Sequence, residues 1–335
     1  MKHVLFSVLA LMILMSCGDK KKSTEKFLPD ASGAINNVSV VTENEIWDGR
    51  VGDAIRSVLA KPIYGLPQDE PMFTISQIPP AVFSGFVTKN RTVLKIEMNK
   101  EVGIKTLEDV YAQPQKVIVI SGQNKEDIIN TLKKHESEII ETFRNAELAE
   151  RMRQMSKSPH SFTGIKEKLG LTIQFPSIYE VAKERDDFFW FRKNITTGHS
   201  HLMIYELPYN AIKRNDSTVV QLIKIRDSIG KLYFKGRLDN TVDAKGNKIS
   251  SFMVTEDAYT PFFGETRIDN KLAFETKGVW ELTNDFMGGA FINYTIEDMA
   301  NNRWVGVEGF VFAPSIEKRN YMLELESIIK SIKIE

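Results

Sequence analysis

The sequence predicts an α+β protein of two mixed α/β subdomains, the C-terminal one a mostly antiparallel sheet flanked by helices. Three observations lead there. Helix-spaced and strand-spaced apolar patterns are both present but do not alternate strictly, which disfavours a doubly wound α/β sheet. Beyond residue 156 strand patterns dominate. Between the two regimes lies a polar break, "KSPHSFTG" at 157–164, that divides the chain into subdomains 38–157 and 158–335.

Residues 38–41 (VSVV) read as the first strand. Residues 43–61 carry apolar side chains at 47, 51, 54, 55, 58 and 59, a helical spacing, with Thr42 or Asn44 as cap and Pro62 as stop. Residues 72–78 and 92–98 alternate as strands, with a short helix after Pro79 and Pro80. "KVIVIS" at 116–121 reads as a buried strand. Residues 124–155 form one long helix whose outer charges, Glu126, Lys133, Glu138, Glu141 and Arg144, are expected to face water.

In the second subdomain, strands are expected at 171–175, 178–182, 188–192, 201–207, 252–256, 272–282, 290–296 and 304–312. Helices are expected at 218–233 and 321–332. The closing helix places Met322, Leu325, Ile328, Ile329 and Ile332 on one side, and "DFMGG" from Asp285 supplies a hairpin turn. The ending, strand then proline then helix, resembles the α/β/α sandwich of the PsbP and Mog1 families. That likeness concerns shape alone.

The N-terminus has a separate character. After Met1-Lys2-His3, residues 4–15 are apolar except Ser7. As a helix they would reach roughly 18 Å, short of a bilayer core of about 30 Å, and they read as the apolar core of a signal peptide at 1–16. Leu14-Met15-Ser16-Cys17 resembles the bacterial lipoprotein box, in which the cysteine becomes the first residue of the mature protein and carries the lipid. Cys17 is the only cysteine, so a mature chain acylated there has no thiol for a disulfide or a metal. Residues 17–37 then read as a lipidated tether. With no acidic surface-export cluster after Gly18 and Asp19, the expected home is the outer membrane, facing the periplasm.

The 335 residues hold 44 Lys+Arg against 44 Asp+Glu, and removal of residues 1–16 takes away only Lys2. Such balance argues against nucleic acid as a partner. Candidate chemistry is sparse. His199 and His201, two apart on a strand, face one way and form the candidate metal pair, with Glu206, Asp186 or Asp187 as conceivable third ligands. His160, beside Ser158 and Ser161 in an expected loop, is the one other histidine singled out near hydroxyls. Ser228/Lys231 and Ser327/Lys330 have chance-level Ser-x-x-Lys spacing. Asp239, Asp243 and Asn247 glance at a calcium loop, but Ala244 stands where its glycine belongs. There is no phosphate loop, and no cofactor is implied. The run Phe188-Phe189-Trp190-Phe191 puts two rings on each side of a strand, most simply both in core.

The lipoprotein box, "EIWDGRVGDAIRSVLAKPIYGLPQDEPMFTISQIP" at 45–79 and "KRNYMLELESIIKSIKIE" at 318–335 resemble an uncharacterised Bacteroidetes lipoprotein family, domain-of-unknown-function family 4837, from about residue 30 onward. The resemblance implies an envelope lipoprotein and no catalytic residues. The leading expectation is a lipid-anchored, non-catalytic protein that binds an envelope partner or supports an assembly. The alternatives are a metal-dependent hydrolase using His199 and His201, and a periplasmic carrier of a hydrophobic ligand.

Overall fold

A computed structural model describes residues 27–335, so the segment holding Cys17 and the signal peptide lies outside the described residues. The described residues build two large sheets and a two-stranded one. The first has five strands, β1 (Asn37–Val41), β2 (Thr74–Ile78), β3 (Thr92–Met98), β4 (Gly103–Glu108) and β5 (Lys116–Gly122), in the order β2-β1-β3-β5-β4. All neighbours run parallel except β4 against β5. The fold is still not doubly wound. Helices α2 (Arg50–Leu59), α3 (Lys125–Lys134) and α4 (Glu136–Met155) share one core on one face, with Val40, Leu94 and Ile118. The other face is closed by loops, through Phe83 and Tyr111 over Val41, Val93 and Val117.

The expected helix at 43–61 is two pieces, α1 (Asn44–Trp47) and α2, broken at Asp48-Gly49. The expected long helix also divides, at His135, whose φ of −106° and ψ of 19° end α3 and begin α4. No proline or glycine marks this break. α3 follows its sheet, whereas α4 turns to meet the second unit. Asn124 caps α3, accepting from the Asp127 amide at 3.0 Å.

The second sheet has eight strands: β7 (Glu180–Glu184), β8 (Phe188–Ile195), β9 (Gly198–Pro208), β10 (Met253–Thr255), β11 (Phe262–Ile268), β12 (Lys271–Leu282), β13 (Gly288–Asp298) and β14 (Arg303–Phe312). Its antiparallel path is β10-β12-β13-β14-β9-β8-β7, with β11 beside β12. The fold is therefore α+β, with mixed pairing in one unit and antiparallel pairing in the other. The expected strand at 171–175 shrinks to β6 (Leu171–Thr172), paired with β15 (Lys333–Ile334) next to the short α5 (Gly164–Leu169). The strands β4 and β11, absent from the sequence reading, each pair on one side only. Edge strands carry charge on their wet side and lose the apolar alternation that marks central ones.

Helix α6 (Thr218–Tyr233) covers one face of this sheet and α7 (Arg319–Lys330) the other. Gly309 sets the approach of α7: a Cβ there would lie 2.7 Å from Leu325 Cβ. Met322, Leu325, Ile328, Ile329 and Ile332 face the sheet as their spacing predicts. The four rings at 188–191 split between the faces, Phe189 and Phe191 under α7, Phe188 and Trp190 under α6. α7 is also covered on its back by α4, so Glu324, Glu326 and Ser327 are buried as well. No helix among the described residues is long and apolar enough to cross a membrane.

Candidate functional site at the seam between the two sheets

The crossing of α4 and α7 is built from charge. Arg144 of α4 pairs with Glu326 of α7, and Glu326 also pairs with Lys330 at 2.9 Å. Burial alone would raise the Glu326 carboxyl, but Arg144, Lys277 and Lys330 outweigh it and hold it down at about 2. Two turns along α4, Arg151 lies 3.7 Å from Glu324, which also receives Lys193 and the Tyr179 hydroxyl. Arg144 was expected to face water. A helix pattern alone cannot foresee that a second unit covers part of the polar side, so the expectation fails at Arg144, which is half-buried against Glu326.

Three further contacts fasten the units. Glu70, buried in the segment before β2, accepts from the Lys318 amide at 2.8 Å and the Arg319 amide at 2.8 Å. It thereby supplies a carboxylate to the positive end of α7 from outside that helix. Asn36 donates to Asn320 at 2.9 Å, whereas the fully buried Glu147 holds Arg91 at 2.9 Å within the first unit. Gly65, with φ +92°, lets the chain turn where an added Cβ would lie 3.1 Å from Lys277 Cβ, and its amide donates to the Tyr259 hydroxyl at 2.8 Å.

This seam encloses a cleft of ≈ 180 Å³. Its walls are apolar, with Tyr64, Phe291 and Met322 among them, and Arg144, Lys277 and Glu326 supply its charge. Lys277 is steadied by Glu275 at 2.6 Å, and Glu275 also accepts from the Tyr294 hydroxyl at 2.6 Å. Burial, then Glu326 and Glu275, push the Tyr294 phenol well up. The described lining offers apolar contact and fixed charge, with no serine, cysteine or histidine to act as nucleophile or base. Clefts at unit boundaries that combine apolar walls with a few convergent polar groups are characteristic binding sites.

The residues singled out from sequence fall elsewhere. His199 and His201 do share one face of β9, with ring centroids 5.8 Å apart. His201 is packed in core, stacked on Phe310 at 4.5 Å, and its Nδ1 accepts from Trp190 Nε1 at 3.1 Å. Glu206 sits at the far end of β9, paired with Arg303 at 2.7 Å, and Asp186 pairs with Lys168 at 3.2 Å. The Asp187 carbonyl accepts from the Glu206 amide. Among the described residues no three His, Cys, Asp or Glu converge as a metal site. His160 stacks on Phe175 and accepts from the Phe162 amide, while Ser158 meets Ser177. Ser228 and Ser327 donate to their own helices, to Lys224 and Leu323. Asp243 accepts from the Lys245 and Asn247 amides at the tip of a hairpin.

Burial, then the neighbouring His199 and Arg192, push the His201 imidazole down to about 3. An unfolded histidine titrates near 6.5, so folding excludes a proton from this ring between those values. Its stabilisation is complete above the unfolded value and is lost as pH falls toward 3. We expect His201→Phe to gain about 2 kcal/mol relative to the native chain on going from pH 7 to pH 5, measured by urea unfolding at each pH. A difference independent of pH would contradict the buried neutral imidazole.

The class these features define is a two-unit α+β protein whose units are locked by buried ion pairs around a small apolar cleft. Residues 158–331 match the family described as Domain of unknown function (DUF4837), more than half of the chain, and the chain belongs to that family. Residues 31–156 match a second description, Domain of unknown function (DUF8532). The resemblance expected from about residue 30 onward is thereby corrected in extent, since the stretch at 45–79 falls within the second match. No curated protein matches the chain. The residues of the seam cleft come from both matched regions: Tyr64 and Arg144 from 31–156, Phe291 and Glu326 from 158–331.

Proposed function

We propose that the chain is a lipid-anchored outer-membrane protein of a Bacteroidetes cell envelope, facing the periplasm, that binds a small molecule at the seam without converting it. The observation that carries the binding reading is the cleft itself, apolar on its walls and charged at Arg144, Lys277 and Glu326. Its ≈ 180 Å³ is below the 300–1,000 Å³ typical of drug-sized ligands, which favours a short alkyl or aryl group over a whole diacyl lipid. The supporting observation for the address is Cys17, directly behind an apolar run too short to span a bilayer. Stable anchoring takes more than one acyl chain, which a diacylglyceryl thiol provides.

The address is tested by growing the source organism with labelled palmitate. The native chain should incorporate label and fractionate with the outer membrane, and Cys17→Ser should incorporate none. Equal labelling of the two would overturn the anchor.

A further inference from the structure

The chain enters its first sheet at the face that carries no helix. Backbone bonds fix the entry: the Gln113 amide donates to the Pro29 carbonyl at 2.9 Å, Ala31 to Gln113 at 3.0 Å and Ser32 to Lys89 at 2.8 Å. The loop 79–90 crosses the same face. Phe83 turns inward, meeting the Tyr111 ring edge-on at 5.5 Å. Its neighbours do the opposite: Val82 is 59% exposed and Phe86 72% exposed. Leu107 of β4 stands opposite Val117 of β5, hence on this face, and is 41% exposed, while Phe27 at the entry is 95% exposed. Large apolar side chains presented together to water mark a surface that meets something else.

Distance selects the occupant. Phe27 lies ten residues after Cys17. Ten residues reach at most about 35 Å even when fully extended. A lipid on Cys17 therefore keeps this face within about 35 Å of the bilayer, at a high effective concentration. Lys20, Lys21, Lys22 and Lys26 fall in that interval and suit anionic headgroups. We propose that this face rests on the bilayer holding the anchor, with Phe27, Val82, Phe86 and Leu107 in the headgroup layer and the seam cleft held away from it. Aromatic and aliphatic side chains seated at that depth exchange water for acyl and glycerol contacts while the loop backbone stays hydrated. The orientation rests on the anchor reading.

The full-length lipidated protein, reconstituted in phosphatidylcholine/phosphatidylglycerol vesicles, tests it. Cys17 is blocked by lipid, so Phe86→Cys and Lys245→Cys each present one reactive thiol for an NBD fluorophore. Lys245 lies on an exposed hairpin tip of the other unit. Doxyl-labelled lipid should quench the probe at 86 several-fold more than the probe at 245. Equal quenching, with palmitate detected on the same preparation, overturns the orientation alone. Shielding at 86 that follows protein concentration and ignores doxyl lipid assigns the face to a second copy and also overturns it. Absence of palmitate overturns the anchor, and this orientation with it.

Discussion

Replacing Arg226 with methionine is expected to lower the stability of the folded chain by about 3–5 kcal/mol, because it strands a buried carboxylate. Arg226 projects from α6 with 2% exposure, lies 3.0 Å from Glu308 of β14 and donates to Thr255 at 2.9 Å. Its guanidinium also sits 3.8 Å above the Phe291 ring. Glu308 is equally buried and accepts from Asn293, which donates as well to the Tyr205 hydroxyl at 2.9 Å. Burial raises the Glu308 carboxyl even with Arg226 beside it, so without the cation it takes up a proton at a cost. The double variant Arg226→Met/Glu308→Leu removes both charges and should lie closer to the native chain than Arg226→Met does. Urea unfolding of the three variants decides it, and strictly additive losses would contradict the pairing.

The second large effect lies at the seam. Glu326→Gln is expected to cost about 3 kcal/mol at pH 7, from a carboxyl that moves from 4.5 in the unfolded chain to about 2 in the folded one. The folded value is depressed, so this stabilisation is fully present above pH 4.5 and is lost as pH falls toward 2. The difference between variant and native chain should therefore shrink through that window. A cost that stays constant from pH 5 to pH 2.5 would mean that the loss is steric and not ionic. Because Glu326 belongs to α7 and Arg144 to α4, the loss should appear first as weaker docking of the units, read as faster proteolysis in the segment 157–163.

The sequence makes α7 and α6 legible because each shows an apolar stripe at helical spacing to a sheet. The central strands β12, β13 and β14 are equally visible as long stretches in which apolar residues recur at strand spacing. The break at His135 has no local signal, since what turns α4 is its contact with α7, almost two hundred residues away. The seam is hidden for the same reason. Glu70 reads as one acid in "PQDEPMF" and becomes a helix cap only when α7 arrives, and Arg144 and Glu326 are separated by most of the second unit. The motif that sequence reading did favour, His199-Ser200-His201, owes its spacing to a strand face. That face is filled by Trp190, Phe234 and Phe310.

The central claim is that the seam cleft holds a small molecule. Native mass spectrometry of the full chain, released gently from its own membranes, measures this directly, with Met322→Trp as a variant that fills the cleft. The account predicts a bound small-molecule mass on the native chain and its loss from a Met322→Trp chain of unchanged secondary structure. A native chain that carries no ligand, or a variant that retains the same one, would contradict it.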